Sequence, residues 1–221
     1  MPPTSKAVLE GNLHITDLNQ SLNHNLHFYA KGSEIPLVSQ GIWQVCQGLV
    51  QLSTLYATGE EGLLGWAGPS MCFGLWLTCL QTYRATTISD TYLIWYSMVE
   101  VEASPQLCHA LLPQMGRRLR QMEAILAITG QRRVEDRLYQ ILLLLKQEFG
   151  QPVAGGSRLS IRVTHQDIAN AICTTRVTVT RMLGKLQQNG CISRDRDRHL
   201  ILGNDTFAIA SDLFGVKSKP V

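Results

Sequence analysis

The segment from Thr164 to Leu186 constrains the fold more than any other part of the chain. It opens with a capping box, in which the Thr164 hydroxyl caps a helix whose third residue, Asp167, reaches back to the chain. Thr175 can cap a second helix soon after the first one ends. The apolar residues that share one face of the first helix are Ile168, Ala169 and Ile172. Two short helices joined by a tight turn, with a small residue where they approach, predict a helix-turn-helix.

The residues after these helices predict a β-hairpin wing. After Asn189-Gly190, the sequence from Ile192 to Leu202 alternates apolar and polar residues around Arg194-Asp195-Arg196-Asp197. The net charge of the whole chain is only +3, yet this C-terminal module is basic. Its basic residues are Arg158, Arg162, Arg176, Arg181, Lys185, Arg194, Arg196 and Arg198. A locally basic module in a near-neutral chain is typical of a protein of which only one part touches DNA.

The N-terminal residues of the second helix are the ones that enter the major groove in such modules. Arg176 and Arg181 lie close to one face, and each can bind guanine with two hydrogen bonds, while Val177 offers a methyl group to thymine. The hydroxyl groups can reach phosphates. We predict these DNA-binding residues: Thr164, His165, Thr174, Thr175, Arg176, Val177, Thr178, Thr180, Arg181, Lys185 and Arg196. The alternative is that the arginines are ordinary solvated surface residues.

The chain from about His27 to Tyr96 predicts short β-strands separated by turns, which suits an all-β barrel or roll. Turn signals recur there roughly every ten residues. A helix is then predicted from Pro105 to Leu111, and Pro113 fits the first turn of a second, longer helix. Further on, a helix from about Val134 to Phe149 is followed by a strand from Leu159 to Val163.

The longer helix after Pro113 carries an apolar heptad seam with charged residues beside it. The seam residues are Leu112, Met115, Leu119, Met122 and Leu126. The seam either packs on the β domain or pairs with a second copy of the chain. The strict heptad and the flanking charges favour a parallel dimer. Thr129-Gly130 then weakens the helix and predicts a hinge.

Several function classes are disfavoured by what the sequence lacks. The longest apolar run, Ile141 to Leu145, is too short to cross a bilayer, and no signal peptide is visible, so we expect a cytoplasmic protein without a membrane partner. Six cysteines, scattered without CxxC pairs, are expected to be mostly small buried residues and not metal ligands. We find no nucleophile–base pair, HExxH motif or phosphate-binding glycine loop, and therefore predict no catalytic residues.

The order of these parts resembles the cyclic-AMP receptor/FNR superfamily along nearly the whole chain. The matching segments are Cys46 to Leu52 with Gly59-Glu60-Glu61 and Phe73-Gly74, Ser104 to Leu119, and Thr164 to Leu186. The resemblance implies an α+β fold: a β-roll sensor domain of the cyclic-nucleotide-binding jelly-roll type over 1–110, a dimerisation helix and hinge over 111–132, and a winged helix-turn-helix DNA-binding domain over 133–221. It also implies a homodimer that works with RNA polymerase. We expect the tail after Asp212 to be loosely ordered.

Within the superfamily, the run from Thr175 to Gly184 is similar to that of the NtcA-like global nitrogen regulators. That branch reads palindromic GTA/TAC sites. Cyclic-AMP receptors carry a glutamate where this chain has Val177, and valine cannot accept a hydrogen bond from cytosine N4. The resemblance therefore implies a GTA/TAC-type preference.

The same resemblance bears on the effector. Leu75 stands where cyclic-nucleotide sensors use a glutamate for ribose, and Met122-Glu123 stands where they contact adenine, which argues against cyclic AMP. The nitrogen branch binds 2-oxoglutarate, a dicarboxylate suited to guanidinium groups and backbone N–H groups. The effector-binding residues implied by this branch are Phe73, Gly74, Leu75, Trp76, Arg84, Arg118 and Glu123. The alternative for Arg118 and Glu123 is that they flank the dimer seam and form interhelical pairs.

Three departures from the branch keep other functions open. The turn at Ala30 to Pro36 lacks the Pro-Gly-Asp pattern, Trp76 is bulky for a pocket, and Arg133 replaces a capping aspartate. One alternative is a divergent paralogue without a ligand. Another is a metabolite sensor that acts through protein partners, with a vestigial DNA-binding half. The sequence leaves open whether the regulator requires a coactivator protein. No cofactor other than the effector is expected.

Overall fold

The computed structural model of the protein describes residues 26–204 and 206. Residues 1–25 of the predicted sensor domain, and the tail after Asp212, lie outside the described residues. The chain divides into two compact units. Among the described residues, the first comprises 26–55 and 66–120, and the second comprises 56–65, 121–204 and 206.

Seven strands lie between residues 26 and 97. They are β1 (Leu26–Tyr29), β2 (Gly41–Gln47), β3 (Val50–Leu55), β4 (Glu61–Ala67), β5 (Cys72–Phe73), β6 (Tyr83–Thr87) and β7 (Thr91–Ser97). One sheet has the order β1-β7-β2-β5 and the other has the order β4-β3-β6. A short 3-10 helix, Leu75–Leu77, follows β5. The predicted β-rich half is therefore confirmed.

Alternation of side chains along the strands builds the core of this half. In β6, Ala85 and Thr87 are buried while Arg84 and Thr86 lie on the other face. The largest completely buried residues of the strands include Ile42, Leu52, Trp66, Phe73, Leu93 and Tyr96. These side chains remove the apolar faces of both sheets from water, which is the main favourable contribution to folding.

Two helices follow the strands. Helix α1 (Met98–Ala103) begins with a capping box, in which the Ser97 side chain accepts from Glu100 N at 3.2 Å and the Glu100 carboxylate accepts from Ser97 N at 2.8 Å. Helix α2 runs without interruption from Pro105 to Thr129. The sequence patterns above did not predict helix α1.

The predicted helix break at Pro113 is wrong, because Pro113 lies inside α2. An interior proline costs about 3 kcal/mol, since it removes one backbone hydrogen bond and crowds the preceding turn. Leu107 and Leu111, just before it, are buried in one cluster with Ile42 and Tyr96 of the sheet. Burial of each leucine contributes about 1.5–3 kcal/mol, so packing outweighs the local preference. The helix does end at Thr129, where the hinge was predicted.

The second unit contains α3 (Val134–Phe149), with the bounds that the sequence predicted. The predicted apolar face, Leu138, Ile141, Leu142, Leu145 and Phe149, is buried. A four-stranded sheet of order β10-β11-β9-β8 follows in this unit. Its strands are β8 (Gly150–Val153), β9 (Gly156–Leu159), β10 (Ile192–Arg194) and β11 (Leu200–Gly203).

The strand predicted from Leu159 to Val163 is displaced in the structure. Strand β9 ends at Leu159, and it pairs with β8 on one side and β11 on the other. Gly156 explains the position, because a Cβ there would clash with the backbone oxygen of Leu202. Only glycine allows this approach, and the pattern from Leu159 onward does not reveal it.

Helix α3 begins without a side-chain cap, because its N-cap residue Arg133 makes no capping hydrogen bond. We expect Arg133→Asp to raise the free energy of unfolding by about 1 kcal/mol, since aspartate accepts from the first-turn N–H groups and its charge suits the positive helix end. Urea denaturation measures the change. The matched control is Arg132→Asp, which makes the same charge change one residue before the cap. Equal stabilisation by both variants would contradict a capping effect.

Candidate nucleic-acid interface

The two predicted short helices are present as α4 (His165–Ala171) and α5 (Arg176–Gln188). The capping box of α4 is formed as predicted: Asp167 N donates to Thr164 Oγ1 at 3.1 Å and Thr164 N donates to Asp167 Oδ2 at 2.7 Å. Thr175 caps α5, where its Oγ1 accepts from Thr178 N at 3.2 Å. The predicted helix-turn-helix is therefore confirmed.

The turn between the helices is held from both sides. Cys173 has a φ of 50°, in the left-handed region that reverses the chain sharply. The N–H of Thr174 donates to the carbonyl of Ala169 at 3.0 Å. Arg137 of α3 donates from its guanidinium to the Cys173 carbonyl at 3.5 Å. These bonds fix where α5 begins.

Helix α5 has a buried face and an exposed face. The buried residues are Val179, Met182, Leu183 and Leu186. Val177 is 79% exposed, although it is an apolar residue in a helix whose other large apolar side chains are buried. The predicted DNA-binding residues that are exposed are Thr164, Thr175, Arg176, Val177, Thr180, Arg181, Lys185 and Arg196, and those that are half-buried are His165, Thr174 and Thr178.

The hairpin wing is confirmed as β10 and β11 with a tip built around Asp195. The Asp195 carboxylate accepts from Arg158 Nε at 2.6 Å and from His199 N at 2.8 Å. Desolvation tends to raise the pKa of Asp195, but the hydrogen bonds from Arg158 and His199 and the Arg158 charge together hold the pKa below its ordinary value. One acidic charge of the wing is therefore tied to β9, and Arg196 remains exposed at the tip.

A chain of hydrogen bonds joins α5, α4 and the wing through one imidazole. His165 Nδ1 lies 2.7 Å from Thr180 Oγ1, and His165 Nε2 lies 2.8 Å from an Arg194 guanidinium nitrogen. His165 and Thr180 were predicted to bind DNA, whereas Arg194 was left out of that set. No sequence spacing reveals this contact, because His165 and Arg194 are 29 positions apart on different elements.

The residues predicted to bind an effector are not all brought together. Arg84 donates from Nε and Nη2 to the two carboxylate oxygens of Glu34, each at 3.0 Å. Arg118 instead is buried and hydrogen-bonded to Tyr83, the residue before Arg84 in β6. Successive residues of a strand point to opposite faces. The structure therefore separates Arg84 from Arg118.

Burial and Tyr83 determine the electrostatics around Arg118. Desolvation lowers the pKa of Arg118, while the interaction with the hydrogen-bonded Tyr83 opposes that shift. Burial raises the pKa of Tyr83 to about 12. The remaining predicted effector residues differ in exposure: Phe73 and Gly74 are buried, Leu75 is half-buried, and Trp76 and Glu123 are exposed. The partner Tyr83 was missed, because no short-range pattern links it to Arg118.

The predicted dimer seam is the exposed side of α2. Leu112 is 63% exposed and Leu126 is 73% exposed, whereas the neighbouring Leu111 and Ile125 are buried. Leu119 and Met122 are also exposed, and Met115 is half-buried.

The expectation that the cysteines are mostly buried is wrong, because only Cys72 and Cys191 are buried and the other four are exposed. Among residues 26–204 and 206, no cluster of three or more histidine, cysteine or acidic side chains has a metal-binding arrangement. Across the same residues, no helix has the length and hydropathy to span a membrane.

Comparison with known proteins gives the family. The model of the Crp-like helix-turn-helix domain matches residues 136–206. The regulatory protein CysR of Synechococcus elongatus is 34% identical over 205 residues, which cover 91% of this chain and 89% of that protein. The chain belongs to the cyclic-AMP receptor/FNR superfamily. The global nitrogen regulator of Nostoc is 32% identical over 165 residues, covering 70% of this chain and 74% of that protein, so this regulator lies near the predicted branch.

Solved structures confirm the fold of this CRP/FNR regulator. FixK2 from Bradyrhizobium japonicum superimposes with a TM-score of 0.70 at 21% identity, covering 90% of this chain and 99% of that one. A CRP-family transcriptional regulator from Thermus thermophilus superimposes with a TM-score of 0.71 at 20% identity, covering 88% and 100%. The Crp-like helix-turn-helix match and the relatedness to CysR and to the global nitrogen regulator make the chain a DNA-binding transcription regulator, as predicted.

Proposed function

We propose that this CRP/FNR regulator is a homodimer that reads a palindromic GTA/TAC-type site in double-stranded DNA with the first turns of α5. The observation that carries the proposal is the exposed side of that helix, where Arg176 and Arg181 flank the 79% exposed Val177. An arginine matches guanine and a valine methyl group matches the methyl group of thymine. Thr175, Thr178 and Thr180 hydroxyls supply phosphate contacts.

The second copy binds through the exposed apolar seam of α2. Leu112 and Leu126 lie 14 residues apart, which is about 21 Å of helix. Leaving this stripe in water is unfavourable, and a heptad pattern is the one that a parallel helix partner buries. Dimers of helix-turn-helix proteins read two half-sites about 34 Å apart, one turn of DNA, so a palindromic site is the one that such a dimer requires.

The effector proposal rests on Arg118. A buried guanidinium supplies paired donors for a carboxylate in a site of low dielectric constant, and Arg118 is buried beside Tyr83. Burial of the Arg118 side chain also disfavours the alternative that Arg118 is a solvated charge beside the dimer seam. Glu123 is exposed and neighbours Leu119 and Leu126 on the helix surface, so a dimer partner would meet it. 2-Oxoglutarate, a dicarboxylate, fits the buried guanidinium of Arg118 better than cyclic AMP does.

The domains then have separate roles in the proposal: sensing by residues 1–110, coupling by residues 111–132, and DNA binding by residues 133–221. The protein acts in the cytoplasm with RNA polymerase on nitrogen-regulated genes, with a coactivator where one is needed. A ligand-free divergent paralogue is the second candidate. The observation that favours it is that the Arg84 guanidinium already donates to both carboxylate oxygens of Glu34. One of the arginines predicted to bind the carboxylate of an effector is therefore engaged within the protein.

Arg176→Ala is expected to remove most of the discrimination between the GTA/TAC palindrome and random DNA, because each good arginine–guanine pair contributes about 1–3 kcal/mol of preference. The matched variant Lys185→Ala, which removes an exposed charge late in α5, should weaken both duplexes about equally. Fluorescence anisotropy on the two duplexes measures both effects. If Arg176→Ala weakened them by the same factor, its base-reading role would be wrong.

Leu112→Ala and Leu111→Ala are a matched pair at adjacent positions. We expect Leu112→Ala to retain the circular dichroism spectrum but to shift the monomer–dimer equilibrium toward monomer, because it truncates the seam. Leu111→Ala should lower the free energy of unfolding by about 2–5 kcal/mol through loss of core packing. Sedimentation and urea denaturation separate the two. A fully retained dimer in Leu112→Ala together with Leu119→Ala would contradict the seam.

2-Oxoglutarate is expected to tighten binding to the GTA/TAC palindrome in a gel shift, whereas cyclic AMP should not. Arg118→Gln should abolish the response, since the amide cannot replace a buried charge. Arg84→Gln is the control and should respond like the wild type, because Arg84 is occupied by Glu34 on the other face of β6. Strong binding that neither compound changes would favour the ligand-free paralogue.

A further inference from the structure

The imidazole of His165 has only one arrangement of hydrogen atoms that satisfies both of its contacts. An arginine guanidinium donates hydrogen bonds and cannot accept them. The contact of 2.8 Å with Arg194 therefore requires a lone pair on His165 Nε2. A neutral ring with that lone pair carries its hydrogen on Nδ1, which donates to Thr180 Oγ1 at 2.7 Å. The Thr180 hydroxyl hydrogen is then directed to another acceptor.

This arrangement exists only while His165 is neutral. A protonated ring has no acceptor, and it would place a positive charge against the Arg194 guanidinium. The charged groups that face the ring are Arg194 of β10 and Arg176 of α5, both positive. On its own helix, the Asp167 carboxylate is turned to the Thr164 N–H. Burial, and then the charges of Arg194 and Arg176, lower the pKa of His165, so the neutral form prevails near pH 7.

Arg194 is absent from the predicted DNA-binding set, yet its position is fixed. It is the last residue of β10 and is exposed, and its guanidinium is tied through His165 to the middle of α5. Thr180 is also exposed, and it binds the other nitrogen of the same ring. A guanidinium and a hydroxyl held at the two nitrogens of one imidazole on a DNA-binding surface can each donate to phosphate oxygens.

We propose that Arg194 and Thr180 both bind phosphates of the DNA backbone, and that neutral His165 is the positioning residue that holds them, so that protonation of His165 weakens DNA binding. The proposal rests on the DNA-binding surface assigned above and gives His165 a positioning role instead of the direct DNA contact that the sequence predicts. The two roles predict opposite effects of pH. A histidine that touched the phosphate itself would strengthen binding when it became charged, whereas a positioning acceptor is lost.

The tautomer is tested first, on the full chain without DNA, so its outcome does not depend on the DNA-binding proposal. Nitrogen-15 chemical shifts of the His165 ring at pH 7.5 should show a protonated Nδ1 and an unprotonated Nε2. His165→Gln identifies the resonance and separates it from the other histidines. A ring protonated on Nε2, or on both nitrogens, would overturn the proposal.

DNA affinity is tested by anisotropy between pH 7.5 and 5.5, at fixed salt, on the GTA/TAC palindrome and on random DNA. Below the pKa of His165, wild-type affinity should fall by at most about tenfold for each pH unit. His165→Gln is the matched variant, because its amide oxygen can accept from Arg194 and its N–H can donate to Thr180 at any pH. Its affinity should lack the fall between pH 7.5 and 5.5 that is specific to His165. Tighter wild-type binding at low pH, absent in His165→Gln, would show a direct phosphate contact instead.

Coupling between the residues gives a second readout that a general loss of structure would not mimic. The loss of affinity in His165→Ala combined with Arg194→Ala should be clearly smaller than the product of the two single losses, because both variants break one chain of bonds. Arg196→Ala is the control, because it removes another exposed arginine of the wing. The double variant of Arg196→Ala and His165→Ala should lose affinity by the product of the two single factors. Independent losses for His165 and Arg194 would overturn the positioning role. If Arg176→Ala lost DNA binding while Arg194→Ala bound DNA normally, this proposal would be wrong and the proposed function would stand.

Discussion

Burial of one face of α5 is the constraint on which the DNA-binding surface depends. Val179, Met182, Leu183 and Leu186 are fully buried, and because a helix turns by a fixed angle per residue, this fixes the direction of every other side chain on it. Arg176, Val177 and Arg181 face water as a consequence. Ala169 makes this possible, since its small side chain is completely buried in α4 and allows two helices to approach closely.

The structure shows which features a sequence can encode locally. The caps at Thr164 and Thr175, and the end of α3 before Gly150, follow from residues that lie within one turn of each other, so they were predicted correctly. The position of β9 depends on the close approach of Gly156 to Leu202, and continuation of α2 through Pro113 depends on packing against distant strands. Contacts between residues far apart in the chain leave no local pattern, and these predictions failed for that reason.

The candidate sites show the same difference between local patterns and contacts that form between distant residues. The exposed set on α5 was predictable, because helix periodicity separates its two faces. The link from His165 to Arg194 and the contact of Arg118 with Tyr83 were not, since each joins elements that meet only in the folded chain. Arg84 also has a partner that the sequence did not predict. The resemblance gave it an effector role, while the neighbouring Glu34, which binds it in two places, carries no sequence signal of that pairing.

Charge on the wing is governed by which acidic groups are occupied within the protein. The run from Arg194 to Arg198 alternates positive and negative residues, so by composition it attracts DNA only weakly. Asp195, however, is turned inward to Arg158 and the His199 N–H, which pairs its charge with one on β9. Arg194 is held to α4 by a neutral ring and keeps its full charge. The negative charge next to Arg194 in the sequence is therefore neutralised by Arg158, and a phosphate approaching the wing beside α5 meets Arg194 without an opposing free charge at Asp195.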